Sequence, residues 1–431
     1  MSYRYSLALS VFLAGLLPVS LLAAVPSSLV APEVAPGSRW VAAWGTALQP
    51  IPDLRNPPPL YHAPIVSART VREIVYPTLS GHAVRVHISN AYGRTPLALA
   101  DVRLARSAGG AAVMAQTSTQ LTFAGRPSIV LQPGEEADSD AAEIDLRAGM
   151  PYAISAYAGP QQVMTAWHRV ANEVNYVSLP GDHAGDAMPN TYTTRFTQSA
   201  WVTGISVREA LPAAAIAAIG DSITDGLHSS LGRNRRWPDA LARRLADGGD
   251  HSTAVLNFGI SGNRLLSDSA CYGEALERRF ERDALGHPGV KAVVLLIGIN
   301  DINFAAMPPR KGLDCDAPHK IVTAADLIGG YRRLIDAAHR RGVRILGATL
   351  TPASLPPARE AIRLAVNTWI RTSGSFDGVI DFDAALRDPV KAGRLRPDYD
   401  SGDHIHPSDA GYAAMGDAVA PGLLRAAQHG E

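Results

Sequence analysis

Residues 217–226 read AAIGDSITDG: an apolar run ends in glycine, and Ser222 follows between Asp221 and Asp225. The full run, AAIAAIG over 214–220, is fit for a strand buried on both faces. Four more runs of that kind follow, TAVLNFGI, AVVLLIGIN, VRILGATL and GVIDF, separated by helical stretches such as RWPDALARRLADG and AADLIGGYRRLIDAAHRRG. Near-continuous apolar strands alternating with amphipathic helices predict an α/β fold, a parallel sheet of about five strands covered on both faces. The stretch SITD also fits a helix start, with Ser222 as N-cap and Asp225 serving the first turn.

From Arg39 to about Arg208 the period is different. In HAVRVHIS, Val84, Val86 and Ile88 alternate onto one face, as a half-buried strand requires. Turn signals such as AYGRTP and QPGEEADSD separate runs of this type, predicting an all-β, sandwich-like domain. The expected organisation is therefore a signal peptide over 1–24, a Pro-rich spacer over 25–38, the β domain over 39–210 and the α/β domain over 211–431.

Arg4, an apolar run interrupted by Pro18, and small residues at Ala23 and Ala24 give the layout of a secretory leader. A secreted or periplasmic location and no stable membrane insertion after cleavage are expected. Cys271 and Cys315, the only cysteines, then become a candidate disulfide. A bridge closing roughly 45 residues contributes on the order of 4 kcal/mol in the chain-entropy treatment. Lysine plus arginine equal aspartate plus glutamate at 40 each, so no global field gathers nucleic acid.

Ligands of an open parallel sheet bind beyond the carboxyl ends of its strands. GDSITDG follows the first strand, SGNRLL the second, GINDIN the third, and DSGDHIHPSDAGY comes after the fifth. Connectivity alone thus brings Ser222, Gly262, Asn300, Asp403 and His406 to one rim. A serine hydroxyl needs a base, histidine is the usual one, and a carboxylate three residues before it in a helical turn can orient the imidazole. The backbone N–H groups of Ser222 and Gly262 and the side-chain amide of Asn300 are the available oxyanion donors. Pro407 fits the first position of the closing helix. Taken singly, GIND and SGN also read as turns, and DHIH as a metal fragment lacking a clear third ligand; His404 is expected to point elsewhere. No cofactor is called for.

These four blocks resemble those of the GDSL or SGNH hydrolases over residues 214–428. The resemblance implies a flavodoxin-like three-layer sheet, Ser222 as nucleophile, Gly262 in preference to Gly259 as oxyanion glycine, Asn300 as oxyanion amide, and Asp403 with His406 completing the triad. More loosely, VAAWGTALQP and RVHISNAYG resemble the β domain of a bacterial xylan-esterase-like subgroup. An acylated carbohydrate or small ester is then the expected substrate, cleaved at acetyl or another short acyl group. The alternatives are an arylesterase or lysophospholipase, or a carbohydrate-binding β domain using Trp40, Trp44, Trp167 or Trp201 as sugar platforms.

Overall fold

The computed structural model describes residues 38–210, 213–304 and 314–423; the expected leader and most of the spacer lie outside them. All of the described residues belong to one compact unit. Its parallel sheet has five strands, Ala214–Gly220, Thr253–Gly259, Val290–Leu296, Arg344–Ala348 and Gly378–Ile380, in the spatial order second, first, third, fourth, fifth. That order reverses direction at the first strand and fits the flavodoxin-like layering. Every residue of Ala214–Gly220 is buried, which explains why it carries no polar alternation. Helix Trp237–Asp247 packs on Asp409–Ala418, and Ala324–Arg340 on Pro357–Thr372.

The N-terminal half is rich in β-strands, and its pairings are antiparallel. One sheet holds Ser38–Gly45, Val202–Ala210, Gly81–Ser89 and Ala142–Leu146, with Glu136–Asp138 paired to Gly81–Ser89. A second, eight-stranded sheet is centred on Arg69–Val75, Tyr152–Ala158 and Leu97–Gly109. Val84, Val86 and Ile88 are buried, as the alternation predicts. Trp167 and Trp201 are buried too, and Trp44 packs against the same core. Trp40 lies beneath the Arg85 and Arg208 guanidinium groups, 4.3 and 5.0 Å from its ring centre. Two of the four tryptophans are therefore closed to a sugar and serve packing instead.

The two halves share hydrophobic packing. Val41 and Ala43 join Ile216, Leu256 and Phe258 in one cluster. Strand Ser38–Gly45 lies against Thr253–Gly259, an edge strand of the parallel sheet. The Thr78 hydroxyl ties the halves further, donating to the Val255 carbonyl at 3.0 Å and accepting from the Val255 N–H at 2.9 Å. Covering an edge in this way removes a template for unwanted pairing.

At the sheet rim Gly220 has no room for a side chain, because a Cβ there would lie 2.1 Å from the Leu296 carbonyl oxygen. Gly220→Ala should lower unfolding free energy by about 1–3 kcal/mol or more through overpacking. Denaturant titration reads this directly, and an unshifted midpoint contradicts the close packing.

Candidate active site

The short helix Ser222–Asp225 begins where the first strand ends. Its N-cap is Asp221, whose carboxylate accepts from the Ile223 N–H at 3.0 Å. This corrects the capping reading of Ser222: the acid before the serine takes the cap, and the serine hydroxyl is left for the crevice. The Ser222 hydroxyl lies 2.8 Å from His406 Nε2, and His406 Nδ1 lies 2.5 Å from Asp403 Oδ2. A continuous hydrogen-bonded chain thus joins serine, imidazole and carboxylate.

Asp403 and His406 sit in an irregular turn, not the helical one expected from their spacing. Asp403 Oδ1 accepts from the backbone N–H groups of Ile405 and His406 at 3.0 and 2.8 Å, closing the turn upon itself. Burial would raise the Asp403 pKa, but hydrogen bonds from the His406 ring and from these two N–H groups outweigh it. They hold the carboxyl well below its ordinary range, so it stays ionised beside the imidazole. Pro407 is not the first helical residue. The closing helix starts at Asp409 behind the Ser408 cap, and Pro407 instead bridges Asp400. His404 turns away to Asp400, with Nδ1 2.6 Å from its Oδ2.

His228 carries no signal in its neighbouring sequence. Its ring stacks on that of His406 with centroids 5.3 Å apart, and its Nε2 lies 3.5 Å from Asp403 Oδ2. Among the described residues, His228, Asp403 and His406 form the one group whose donor atoms are near enough to hold a metal ion. Two of these three are already bonded to each other through the groups a metal would need.

Gly262 and Asn300 line the same cavity as Ser222 and His406, a space of about 300 Å3. Gly262 adopts φ +85°, and a Cβ there would enter the Tyr272 ring at 2.3 Å, so glycine is required twice over. Neither its N–H nor that of Ser222 donates to a partner among the described residues. Asn300 Nδ2 donates to the Asn263 carbonyl at 3.0 Å, which fixes its amide. Gly259, the other glycine of that block, spends its N–H on Asn257 and is pressed against the Asp225 backbone. The arrangement sets a serine hydroxyl bonded to imidazole in one cavity with the Gly262 backbone and the Asn300 amide, a set of groups suited to acyl transfer.

Residues outside the four blocks hold this geometry. Asn263 donates to the carbonyls of Tyr272 and Glu274, and its Oδ1 accepts from Arg279 Nε at 3.0 Å. The fully buried Arg279 also donates to the carbonyls of Gly220 and Phe258. A disulfide joins Cys271 to Cys315, pinning the segment that carries Tyr272. Asp225 does not serve the helix start. It lies buried, accepts from the Ser261 N–H at 2.8 Å, and meets His168 Nε2 at 3.0 Å. His168 belongs to the β-rich half, and its Nδ1 faces the Ala47 carbonyl at 2.9 Å.

Residues 218–414, just under half of the chain, match the model of the GDSL-like Lipase/Acylhydrolase family. No curated protein matches the chain. Among solved structures the chain is similar to a catalytic mutant of an acetylxylan esterase from Geobacillus stearothermophilus, at 22% identity and TM-score 0.37, covering 50% of this chain and 94% of that one. It is also similar to a GDSL-like lipase from Bacteroides thetaiotaomicron, at 17% identity and TM-score 0.33, covering 49% and 88%. A third likeness is to an α/β hydrolase from the metagenome of Lake Arreo, at 19% identity and TM-score 0.36, covering 50% and 96%. At such scores these likenesses carry no argument about substrate.

Both nitrogens of His168 face acceptors, since Nε2 also approaches the Val170 carbonyl at 3.1 Å. That environment suits the imidazolium. Burial alone would lower the His168 pKa, but the Asp225 charge and the hydrogen bonds from Asp225 and Ala47 raise it above the ordinary 6.5. The stabilisation it brings is whole below pH 6.5 and is lost as pH rises through the raised value. Burial of Glu73, Asp221 and Asp301, which raises them to about 7, 7 and 6, tilts stability the same way. Thermal melts should therefore show stability falling from mildly acid to alkaline pH. Asp225→Asn should cost about 3–5 kcal/mol and make that slope shallower; equal slopes in both proteins would contradict a charged pair.

Residues 218–414 match the GDSL-like Lipase/Acylhydrolase family, and with the hydrogen-bonded serine at their rim they make the protein a carboxylic ester hydrolase.

Proposed function

We propose that the protein is a secreted serine esterase that removes acetyl or another short acyl group from a carbohydrate through an acyl-enzyme. The hydrogen-bonded chain Asp403, His406, Ser222 carries the catalytic part of this reading. Ser222 Oγ attacks the ester carbonyl while His406 Nε2 takes its proton. The Ser222 and Gly262 N–H groups and the Asn300 amide receive the oxyanion. Collapse expels the alcohol, protonated by His406, and leaves the acyl group on Ser222. Water, activated by the same imidazole, then attacks the acyl-enzyme and frees the acid. Asp403 remains ionised throughout and stabilises the imidazolium.

The cavity volume supports a short acyl group, since about 300 Å3 is at the small end of ligand pockets. Tyr61, Tyr272 and Phe304 supply an aromatic wall, which favours arylesterase activity as a second reading. Acetate release from acetylated polysaccharide, compared with hydrolysis of simple aryl acetates, distinguishes the two. The carbohydrate assignment fails if only aryl acetates turn over.

Ser222→Ala should abolish hydrolysis of every ester while the protein stays folded by circular dichroism; retained turnover removes the nucleophile assignment. Asn300→Ala should lower kcat by about 100- to 1000-fold, the typical cost of one oxyanion donor. A change confined to KM would place Asn300 in ground-state binding instead.

A further inference from the structure

The cavity around Ser222 is walled partly by the β-rich half, through Leu60, Tyr61 and Arg169. Arg169 is unlike the rest of the lining. Its side chain is buried, only 7% exposed, yet no carboxylate among the described residues forms an ion pair with it. One N–H, from Nη2, donates to the Ser261 carbonyl at 3.1 Å, and the buried Nε has no partner. The guanidinium lies over two rings, 5.3 Å from the centre of Tyr61 and 5.7 Å from that of Tyr272. These rings hold its plane, but they leave its remaining donors unspent. No carboxylate of the described residues lines the cavity either.

A buried cation without a counter-charge is costly, and it persists where something supplies the missing acceptor. Among the described residues four other arginines are buried: Arg279 is paired with Asp283 and Arg363 with Asp383, while Arg72 and Arg264 have no carboxylate but spend their forks on backbone carbonyls, Arg72 on those of Ala111, Ala184 and Asp186 and Arg264 on those of Asp316 and Pro318. Arg169 alone among these five lines the reaction cavity. Its planar fork suits the two oxygens of a carboxylate, and the ring walls would exclude water from such a pair. We infer that Arg169 is a specificity-determining residue, and that the preferred substrate is an ester bearing a carboxylate near the scissile bond. The inference rests on the serine-esterase reading and narrows its substrate to acidic esters. The carboxylate can sit on the acyl side or on the alcohol side, and both would meet the same fork.

Two pairs of substrates separate these sources. Para-nitrophenyl hydrogen adipate against para-nitrophenyl hexanoate places the charge on the acyl side. Para-acetoxybenzoate against its methyl ester places it on the alcohol side. The wild-type enzyme should have the higher kcat/KM for the acidic member of one pair. Arg169→Met keeps the apolar stem and should reduce that acidic-over-neutral ratio on the order of 10- to 100-fold, chiefly through KM. Loss of the Ser261 contact weakens both members equally and cancels in the ratio. Arg169→Lys, which keeps the charge without the fork, should fall between the two. If the methionine variant fails to fold, the wild-type preference and the lysine variant still decide the matter. No acidic preference in either pair, or a ratio unchanged by both substitutions, overturns the inference. Turnover surviving in Ser222→Ala would instead overturn the serine-esterase reading.

Discussion

The buried pair between His168 and Asp225 is the interaction on which the crevice depends. Asp225 closes the helix that presents Ser222, and the same carboxylate binds Ser261, the residue before Gly262. His168 comes from the β-rich half and has both ring nitrogens committed to acceptors. One carboxylate thus fixes Ser222, Gly262 and the β-rich wall relative to each other. A buried charge pair of this kind contributes modestly to stability while both partners are present, but losing either one strands the other. Its main effect is geometric: it leaves these three segments one shared arrangement.

A second layer of buried polar groups lies beneath the rim. Arg279 gathers carbonyls from the ends of the first two strands and the side chain of Asn263, whose backbone carbonyl accepts from the Asn300 amide. Asp301 accepts from the Leu265 and Leu266 N–H groups and steadies the loop between. Asp221 caps the Ser222 helix through one oxygen while the other stays buried without a partner. Burial raises both acids toward neutrality. Concentrating groups of this kind at one end of a sheet costs stability and yields preorganised donors, the trade expected where a fold carries chemistry.

Much of this architecture is legible in the sequence, for identifiable reasons. The parallel strands announce themselves because burial on both faces removes alternation, and the polar blocks that follow them meet because ligand sites lie beyond strand ends. Ser222, Gly262, Asn300 and His406 come together around one cavity for that reason. Local geometry is less legible. Asp221 and Ser222 are both good caps, and which one takes the role depends on where the strand ends. Pro407 fits a helix start equally well two residues early. His168, Arg169 and His228 escape sequence reasoning altogether. The contacts of His168 with Asp225 and Arg169 with Ser261 span 57 and 92 residues, and no periodicity encodes such pairings.

The β-rich half therefore reaches the Ser222 cavity through a short segment. His168 and Arg169 are adjacent, one bound to the Asp225 carboxylate that holds Ser261, the other bound to the Ser261 carbonyl and open to the cavity. His168 is bridged to Ser199, and Arg169 opens the turn that follows, so the two neighbouring side chains meet different surroundings. Here that places the structural ion at one residue and the cavity cation at the next. Arg169 meets Ser261 directly and His168 meets it through Asp225, so a change at either is transmitted to the loop before Gly262, and substitutions at the two are expected to be non-additive. The Ser261 backbone, bound at its carbonyl by Arg169 and at its N–H by Asp225, is thus the point where the β-rich half meets the loop that carries Gly262.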